Sequence, residues 1–347
     1  MTVESFKHRL INFYETQIEQ ADNIKIFDLN KITSGWETEV YSFDIEYQYK
    51  KDNIQENLIL RTFPGKGGQW KSQYEFDLMK NLIKANYPVP RVYFLESEKK
   101  ILGYPFIIME RMKGGTLSKV IREASDVEKQ KLKFLYIEYF VKLHNLDYQK
   151  VAPNAAQIKF NNQFEYIENP LQSMRKDATR YKVEEFLEVV EWLEERVETV
   201  PNEQLSLVHY DYHPSNIVLS EEKKLYVIDW SVSRVTDFRV DLGWTLLLHS
   251  TYGAYENRDF ILNIYQKICN QRIKQIEYFE VVAAARRLIV MAISLSGQDE
   301  VVGTRPEVAQ ILKGYTKHVD GVIRILKDST GIILHGLESM IKKVSPR

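Results

Sequence analysis

Residues 205–230 read LSLVHYDYHPSNIVLSEEKKLYVIDW and set out His209, Asp211, Asn216 and Asp229 as HxDxxxxN, then a hairpin, then an apolar strand ending in Asp. Phosphoryl transfer needs a carboxylate beside the attacking hydroxyl, and oxygen ligands that hold magnesium against a triphosphate. This stretch contains both. Asp211 suits the role of orienting the hydroxyl and accepting its proton, and Asn216 and Asp229 suit the metal. The apolar runs 217–219 and 225–228, separated by SEEKK, predict a hairpin whose open end could bring Asn216 and Asp229 together. His209 is expected to hold the loop by packing and hydrogen bonds, and His213 to be structural or to line a cleft. Asp237 and Asp241 are expected to steady the loop or to cap a helix beginning near Leu242. Two other readings use the same residues. Asp and Asn are turn formers, so 211–216 also reads as a plain polar loop. His209, Asp211 and His213 could begin a hydrolase metal site, although no further ligands follow at suitable spacing.

These residues need elements to position them. Residues 70–84 have helical spacing, and Glu75 falls on the same stripe as Leu78, Met79 and Leu82, so a carboxylate faces inward. A buried carboxylate wants a cation, and Arg61 on the strand predicted over 58–63 is the candidate. Upstream, 40–47 alternates with Tyr41, Phe43, Ile45 and Tyr47 on one face, and 101–109 suggests a further strand. Phe6, Leu10, Phe13 and Tyr14 lie at helical spacing near the start of the sequence. Beyond the break at Gly114 and Gly115, helical patterns dominate: 126–146, 183–200 and about four segments after Tyr255. A strand-rich first third and a helix-rich remainder predict an α+β chain of two unequal lobes, 1–112 and 113–347, joined near 109–115.

HYDYHPSN, VIDW and the following DFRVDLGWTLLL resemble the catalytic core of the aminoglycoside phosphotransferase superfamily, which also includes choline, homoserine and other small-molecule kinases. The resemblance runs from about Ser34 to Leu248. It implies a protein-kinase-like fold, ATP or another nucleoside triphosphate with Mg2+ as cofactors, and a small hydroxylated acceptor. Arg61 and Glu75 match the cation and helix Glu that position triphosphate oxygens, with Arg where protein kinases carry Lys. ITSGWETEVYSF resembles the strand, turn and strand over the nucleotide phosphates and places Ser34 and Gly35 there. PFIIMERMKGG resembles the interlobe hinge, where main-chain groups of Glu110 and Met112 would pair with adenine. KLHNLD resembles a further family segment, in which His144 reads as a helix-packing residue. A protein kinase would need a long peptide-docking segment after its metal-binding Asp, and only eleven residues separate Asp229 from Asp241. A catalytically silent nucleotide-binding or scaffold protein of the same fold is the alternative outside enzymes.

Composition bounds the partners. A formal net charge of −1, with no Lys/Arg block, argues against nucleic acid. The single cysteine, Cys269, permits no intrachain disulfide and makes a cytoplasmic setting the default. The first residues show no targeting segment. The most apolar later stretch, 279–295, carries Arg286 and Arg287 in its middle, which would be costly in lipid, so it reads as a buried helix rather than a membrane span. Residues 231–347 hold sixteen Lys or Arg against twelve Asp or Glu, and only Asp299 and Glu300 are adjacent acids. That balance argues against a polycationic acceptor. The oligomeric state is not legible.

Overall fold

A computed structural model of the 347-residue chain describes residues 3–34, 38–156, 160–252, 255–296 and 316–344. The chain divides into two compact units. One comprises Met1–Gly115 with Val218–Ser231, and the other Thr116–Ile217 with Val232–Arg347. The segment carrying Asp229 therefore belongs with the N-terminal residues. Secondary structure follows as α+β, with strands concentrated in the first unit and helices in the second.

In the first unit, α1 (Val3–Gln17) precedes β1 (Ala21–Ser34), β2 (Glu39–Tyr49), β3 (Asp52–Thr62), α2 (Gly68–Lys84), β4 (Val92–Glu96) and β5 (Phe106–Glu110). The strands form an antiparallel sheet in the order β1-β2-β3-β5-β4. Its core joins Phe6, Leu10, Phe13 and Tyr14 of α1 to Phe43 and Ile45 of β2, Leu58 and Leu60 of β3, and Phe106 and Ile108 of β5. These residues recur at helical spacing in α1 and alternate in the strands, so each element presents one apolar face. The register Arg61↔Ile107 fixes where the Arg61 guanidinium leaves the sheet. The strand predicted over 101–109 is shorter: Gly103, at φ +87°, makes a turn, and β5 begins at Phe106.

A second, three-stranded sheet has the order β6-β8-β9, with β6 at Gly114–Thr116 and the hairpin β8 (Ile217–Ser220) and β9 (Leu225–Val227). Gly114 must be glycine: at φ +148°, a Cβ there would lie 2.1 Å from the Leu219 carbonyl oxygen. The Val227 N–H donates to the Pro88 carbonyl at 3.0 Å, which ties the hairpin to the loop after α2.

The second unit contains α3 (Leu117–Glu123), α4 (Asp126–His144), the short α5 (Tyr148–Val151) and α6 (Pro153–Ala156), α7 (Glu165–Arg180) and α8 (Phe186–Glu194). Strand β7 (Leu205–Val208) pairs antiparallel with β10 (Arg234–Asp237). The chain continues with α9 (Phe238–Tyr252), α10 (Tyr255–Cys269), α11 (Ile276–Leu295), α12 (Thr316–Thr330) and α13 (His335–Val344). Helices α9 and α11 approach closely at Gly243, where a Cβ would meet the Phe279 backbone at 2.7 Å. Helix α9 starts at Phe238, four residues before the predicted start, because Asp237 caps it: its Oδ1 accepts from the Arg239 N–H at 2.9 Å. Among the described residues, no helix is long and apolar enough to cross a membrane.

Candidate functional site

In the first unit, β3 and α2 deliver Arg61 and Glu75 to one buried point, at 6% and 1% exposure. Arg61 Nε lies 3.3 Å from Glu75 Oε2. Arg61 Nη2 also donates to Asp229 Oδ1, so one guanidinium serves two carboxylates. The Trp230 backbone N–H donates to Glu75 Oε1 at 3.2 Å, and Ser231 Oγ donates to Asp229 Oδ1 at 3.1 Å. Trp230, fully buried, anchors this turn through Nε1–H to the Val227 carbonyl at 3.0 Å and an edge contact with Tyr87. Burial pushes the Glu75 carboxyl up; Asp229 adds to this and Arg61 opposes it, leaving its pKa at about 7. Asp229 keeps 35% of its side chain exposed and sits at φ +69°, a backbone conformation that non-glycine residues rarely adopt. Among the described residues, one cation faces two acids in this cluster.

The hinge prediction falls at the end of β5. The Glu110 N–H is committed to the Arg91 carbonyl at 2.8 Å, and its Oε2 accepts from the Arg91 N–H at 3.2 Å. Met112 is half-buried beyond the strand. Ser34 closes β1, with Glu39 as its sheet partner. Gly35 lies outside the described residues, as do Asp299 and Glu300.

In the second unit, β7 leads into the loop that carries Asp211. Its Oδ1 accepts from Trp244 Nε1–H at 2.9 Å and its Oδ2 from Asn216 Nδ2 at 3.2 Å. Asn216 Nδ2 also donates to the Asp211 carbonyl at 3.0 Å, so the amide nitrogen is spent on Asp211 and its oxygen is turned away from it. His213 Nε2 stands 3.5 Å from Asp211 Oδ2. Partial enclosure pushes the Asp211 carboxyl up, but His213, with His209 and Arg286 behind it, outweighs that and holds the group well below the usual carboxylate range. Asp211 is therefore ionised at neutral pH, and 34% of its side chain is open to solvent.

The loop is held from behind. Asp241, fully buried in α9, accepts from the His209 N–H at 2.7 Å and the Tyr210 N–H at 2.9 Å. His144, buried on α4, approaches Asp241 at 3.4 Å and the Tyr265 hydroxyl at 2.8 Å while packing on Phe140. The helix-packing histidine thus also orients a carboxylate. Asp237 holds the buried Arg239 guanidinium through both oxygens, at 2.9 and 2.8 Å, and accepts from the Glu203 N–H at 2.9 Å. The His209 side chain is fully buried. Sequence reading did not single out Trp244 or Ser231. Each holds a carboxylate, but a Trp within an apolar helix and a Ser after a strand leave no periodic signal.

Oxygen donors of this kind suit magnesium, which takes one or two protein oxygens and draws its other ligands from water and phosphate. Among the described residues, no three His, Cys, Asp or Glu side chains gather as a metal site. The Asn216 amide oxygen and the partly exposed Asp229 carboxylate are donors of the right chemistry, each within its own unit.

Curated relatives match about half of the chain. Over 186 residues it is 27% identical to acyl-CoA dehydrogenase family member 10 of Mus musculus, and over 167 residues 25% identical to family member 11 of Homo sapiens. These matches cover 50% and 46% of this chain but only 16% and 21% of those proteins. The fold is similar to solved structures along most of its length. The GDP complex of an aminoglycoside 2'-phosphotransferase-IIIa mutant matches at TM-score 0.61 and 13% identity, covering 95% of this chain and 99% of that one. A thermostable mutant of aminoglycoside phosphotransferase APH(4)-Ia, in ternary complex with ADP and hygromycin B, matches at 0.56 and 13%, covering 97% and 99%. Plasmodium vivax ethanolamine kinase matches at 0.57 and 14%, covering 96% and 88%. At these identities the likeness establishes the kinase-like fold. The model of the phosphotransferase enzyme family matches residues 28–264, a span that includes Arg61, Glu75, Asp211, Asn216 and Asp229. With more than half of its length so matched, the chain belongs to the phosphotransferase enzyme family.

Proposed function

We propose that this protein transfers the γ-phosphoryl group of ATP, or another nucleoside triphosphate, to a hydroxyl of a small molecule. The observation that carries the reading is Asp211: an ionised, partly exposed carboxylate fixed by Trp244 and Asn216. Such a group orients an acceptor hydroxyl and takes its proton as the new P–O bond forms. Its low basicity suits a loose transition state, in which the proton leaves late and positioning matters more than base strength.

Asn216 and Asp229 are the proposed magnesium ligands. Bound Mg2+ would supply neutralisation of the triphosphate's charge. Arg61, held by Glu75, contacts phosphate oxygens, and its present hold on Asp229 keeps that carboxylate in place until nucleotide arrives. Because the Glu110 N–H is already used, adenine pairing is assigned to the Glu110 carbonyl and the Met112 main chain. Ser34 and Gly35 are assigned to the phosphate-covering turn, and the two units to the two lobes of a kinase-like enzyme. Nucleotide complexes of aminoglycoside phosphotransferases of the same fold support the nucleotide assignment.

The test is ADP release by purified protein with Mg2+ and ATP against amino alcohols, hydroxy acids, sugars, nucleosides and antibiotics. Asp229→Asn is expected to weaken magnesium-dependent nucleotide binding. If the wild-type protein binds MgATP but moves phosphate to no acceptor, the silent nucleotide-binding alternative replaces this reading.

A further inference from the structure

Beside Asp211 the second unit gathers two arginines around one aromatic ring. The Arg286 guanidinium carbon on α11 lies 3.7 Å from the Tyr210 ring centroid and 4.1 Å from that of Trp244. Its Nη2 donates to the Tyr210 carbonyl at 3.0 Å. Arg234, at the start of β10, lies 3.7 Å from the same Tyr210 centroid. Two guanidiniums at that distance cannot share a face, so the ring is sandwiched between them. Trp244 donates to Asp211, so Arg286 stands one side chain from the proposed base, and Arg234 lies across the ring of Tyr210, the residue before it.

Aromatic faces attract cations without cancelling their charge. Among the described residues, neither Arg234 nor Arg286 forms an ion pair. The neighbouring carboxylates Asp211 and Asp241 act on Arg286 only at longer range, their hydrogen bonds going to Trp244 and Asn216 and to backbone N–H groups. Arg234 is exposed and Arg286 half-buried, and His213 adds a third basic group to the cluster. Burial raises the Tyr210 hydroxyl pKa, but the charges of Arg286 and Arg234 and a hydrogen bond from Arg286 together bring it below its ordinary value. Like charges held this close favour the arrival of a counter-charge.

Resting on the phosphotransferase reading above, we propose that Arg234 and Arg286, stacked on the two faces of Tyr210, bind an acidic group of the acceptor, a carboxylate or a phosphate, while its hydroxyl meets Asp211. The planar guanidinium donates two parallel hydrogen bonds to either anion, which fixes orientation as well as charge. A polycation would be repelled from the same place.

Calorimetric titration of the full-length protein, saturated with MgADP, tests this with two matched pairs. 3-Hydroxybutyrate is compared with its uncharged amide, and glycerol 3-phosphate with glycerol. In at least one pair the acid is expected to bind about ten-fold tighter or more, as charge-assisted hydrogen bonds provide. The pair that responds identifies the anion. The R234Q/R286Q double variant should lose that preference while its MgADP affinity stays within about two-fold. Should the double variant fail to fold, Arg234→Gln alone carries the test, since Arg234 is exposed. Equal binding of acid and neutral twin, no detectable binding of either acid, or a preference that survives the substitution overturns the proposal. Phosphoryl transfer followed by phosphorus NMR separates the two readings. Anion preference without transfer sinks the phosphotransferase assignment and leaves the subsite, whereas transfer to neutral twins alone does the reverse.

Discussion

The two carboxylate clusters solve opposite electrostatic problems. In the first unit Glu75 and Asp229 share the single guanidinium of Arg61, so negative charge is in excess and Glu75 is pushed up towards neutrality. In the second unit Asp211, with Asp241 behind its loop, is surrounded by His213, His209 and Arg286, and is pushed down. A carboxylate's behaviour here is set by what surrounds it rather than by its type. The acid-rich cluster is suited to receive a cation, and the base-rich cluster keeps its acid ionised while favouring anionic company.

The largest effect should come from Asp211→Asn. The substitution keeps a group able to accept from Trp244 but removes the charge and the basicity. Turnover on an identified acceptor should fall by about 10² to 10⁴, with MgATP affinity nearly unchanged. Wild-type turnover in this variant would break the comparison at its base-rich end.

Arg61→Ala attacks the other cluster. It leaves Glu75 buried without its cation, which costs about 3–5 kcal/mol of stability, and it should also weaken MgATP binding. Chemical denaturation and nucleotide titration read the two effects separately. Adding Glu75→Gln should restore most of the stability but not the affinity. If the double variant recovers both, Arg61 is only a structural partner of Glu75.

Trp244→Phe is a smaller change. It deletes one hydrogen bond to Asp211 and retains the ring beneath Arg286. A roughly ten-fold fall in kcat is expected, because a hydrogen bond to a charged group contributes about 1.5–3 kcal/mol, with little change in nucleotide KM. A merely structural role would move stability and leave kcat alone.

Much of the frame was legible because the signals were local. Helices α1, α2 and α4, strand β2, the second half of β3 and the β8–β9 hairpin fall where apolar periodicity puts them. Only the end of strand β1 was anticipated, from the resemblance of ITSGWETEVYSF; the rest escaped because register shifts between Asp22 and Lys25, Phe27 and Asn30, and Lys31 and Thr33 break its alternation. Helix α7 was hidden by Pro170 in its interior. The Arg61–Glu75 pair could be anticipated from an inward-facing acid on an apolar stripe. The sandwich of Tyr210 could not: Arg234 and Arg286 lie 24 and 76 residues beyond it in sequence, and pairing over such separations leaves no periodic trace. Arg286 and Arg287 could be read only as charges that argue against lipid.

The smallest predicted effect concerns a buried histidine packed against α11. Arg287, next to Arg286, donates through Nε to Nε2 of His318 on α12 at 3.2 Å, so that nitrogen is an acceptor and the ring is neutral. Its Nδ1–H is left to donate to Thr251 Oγ1 at 2.8 Å, and that hydroxyl donates on to the Leu247 carbonyl. Burial, with Arg287 adding to it, lowers the His318 pKa from the ordinary 6.5 to about 3. For a group depressed in the folded state, the stabilisation is complete above the unfolded pKa and declines as pH falls toward the folded one. Stability should therefore fall between about pH 6.5 and 3, at no more than about 1.4 kcal/mol per pH unit from this residue. Denaturant titrations at pH 7.5 and 5.5 on the wild type and on His318→Gln measure it: the variant should lose less stability than the wild type over that interval, by up to about 1 kcal/mol. Identical pH dependence in the two proteins would mean that burial and Arg287 do not hold His318 neutral.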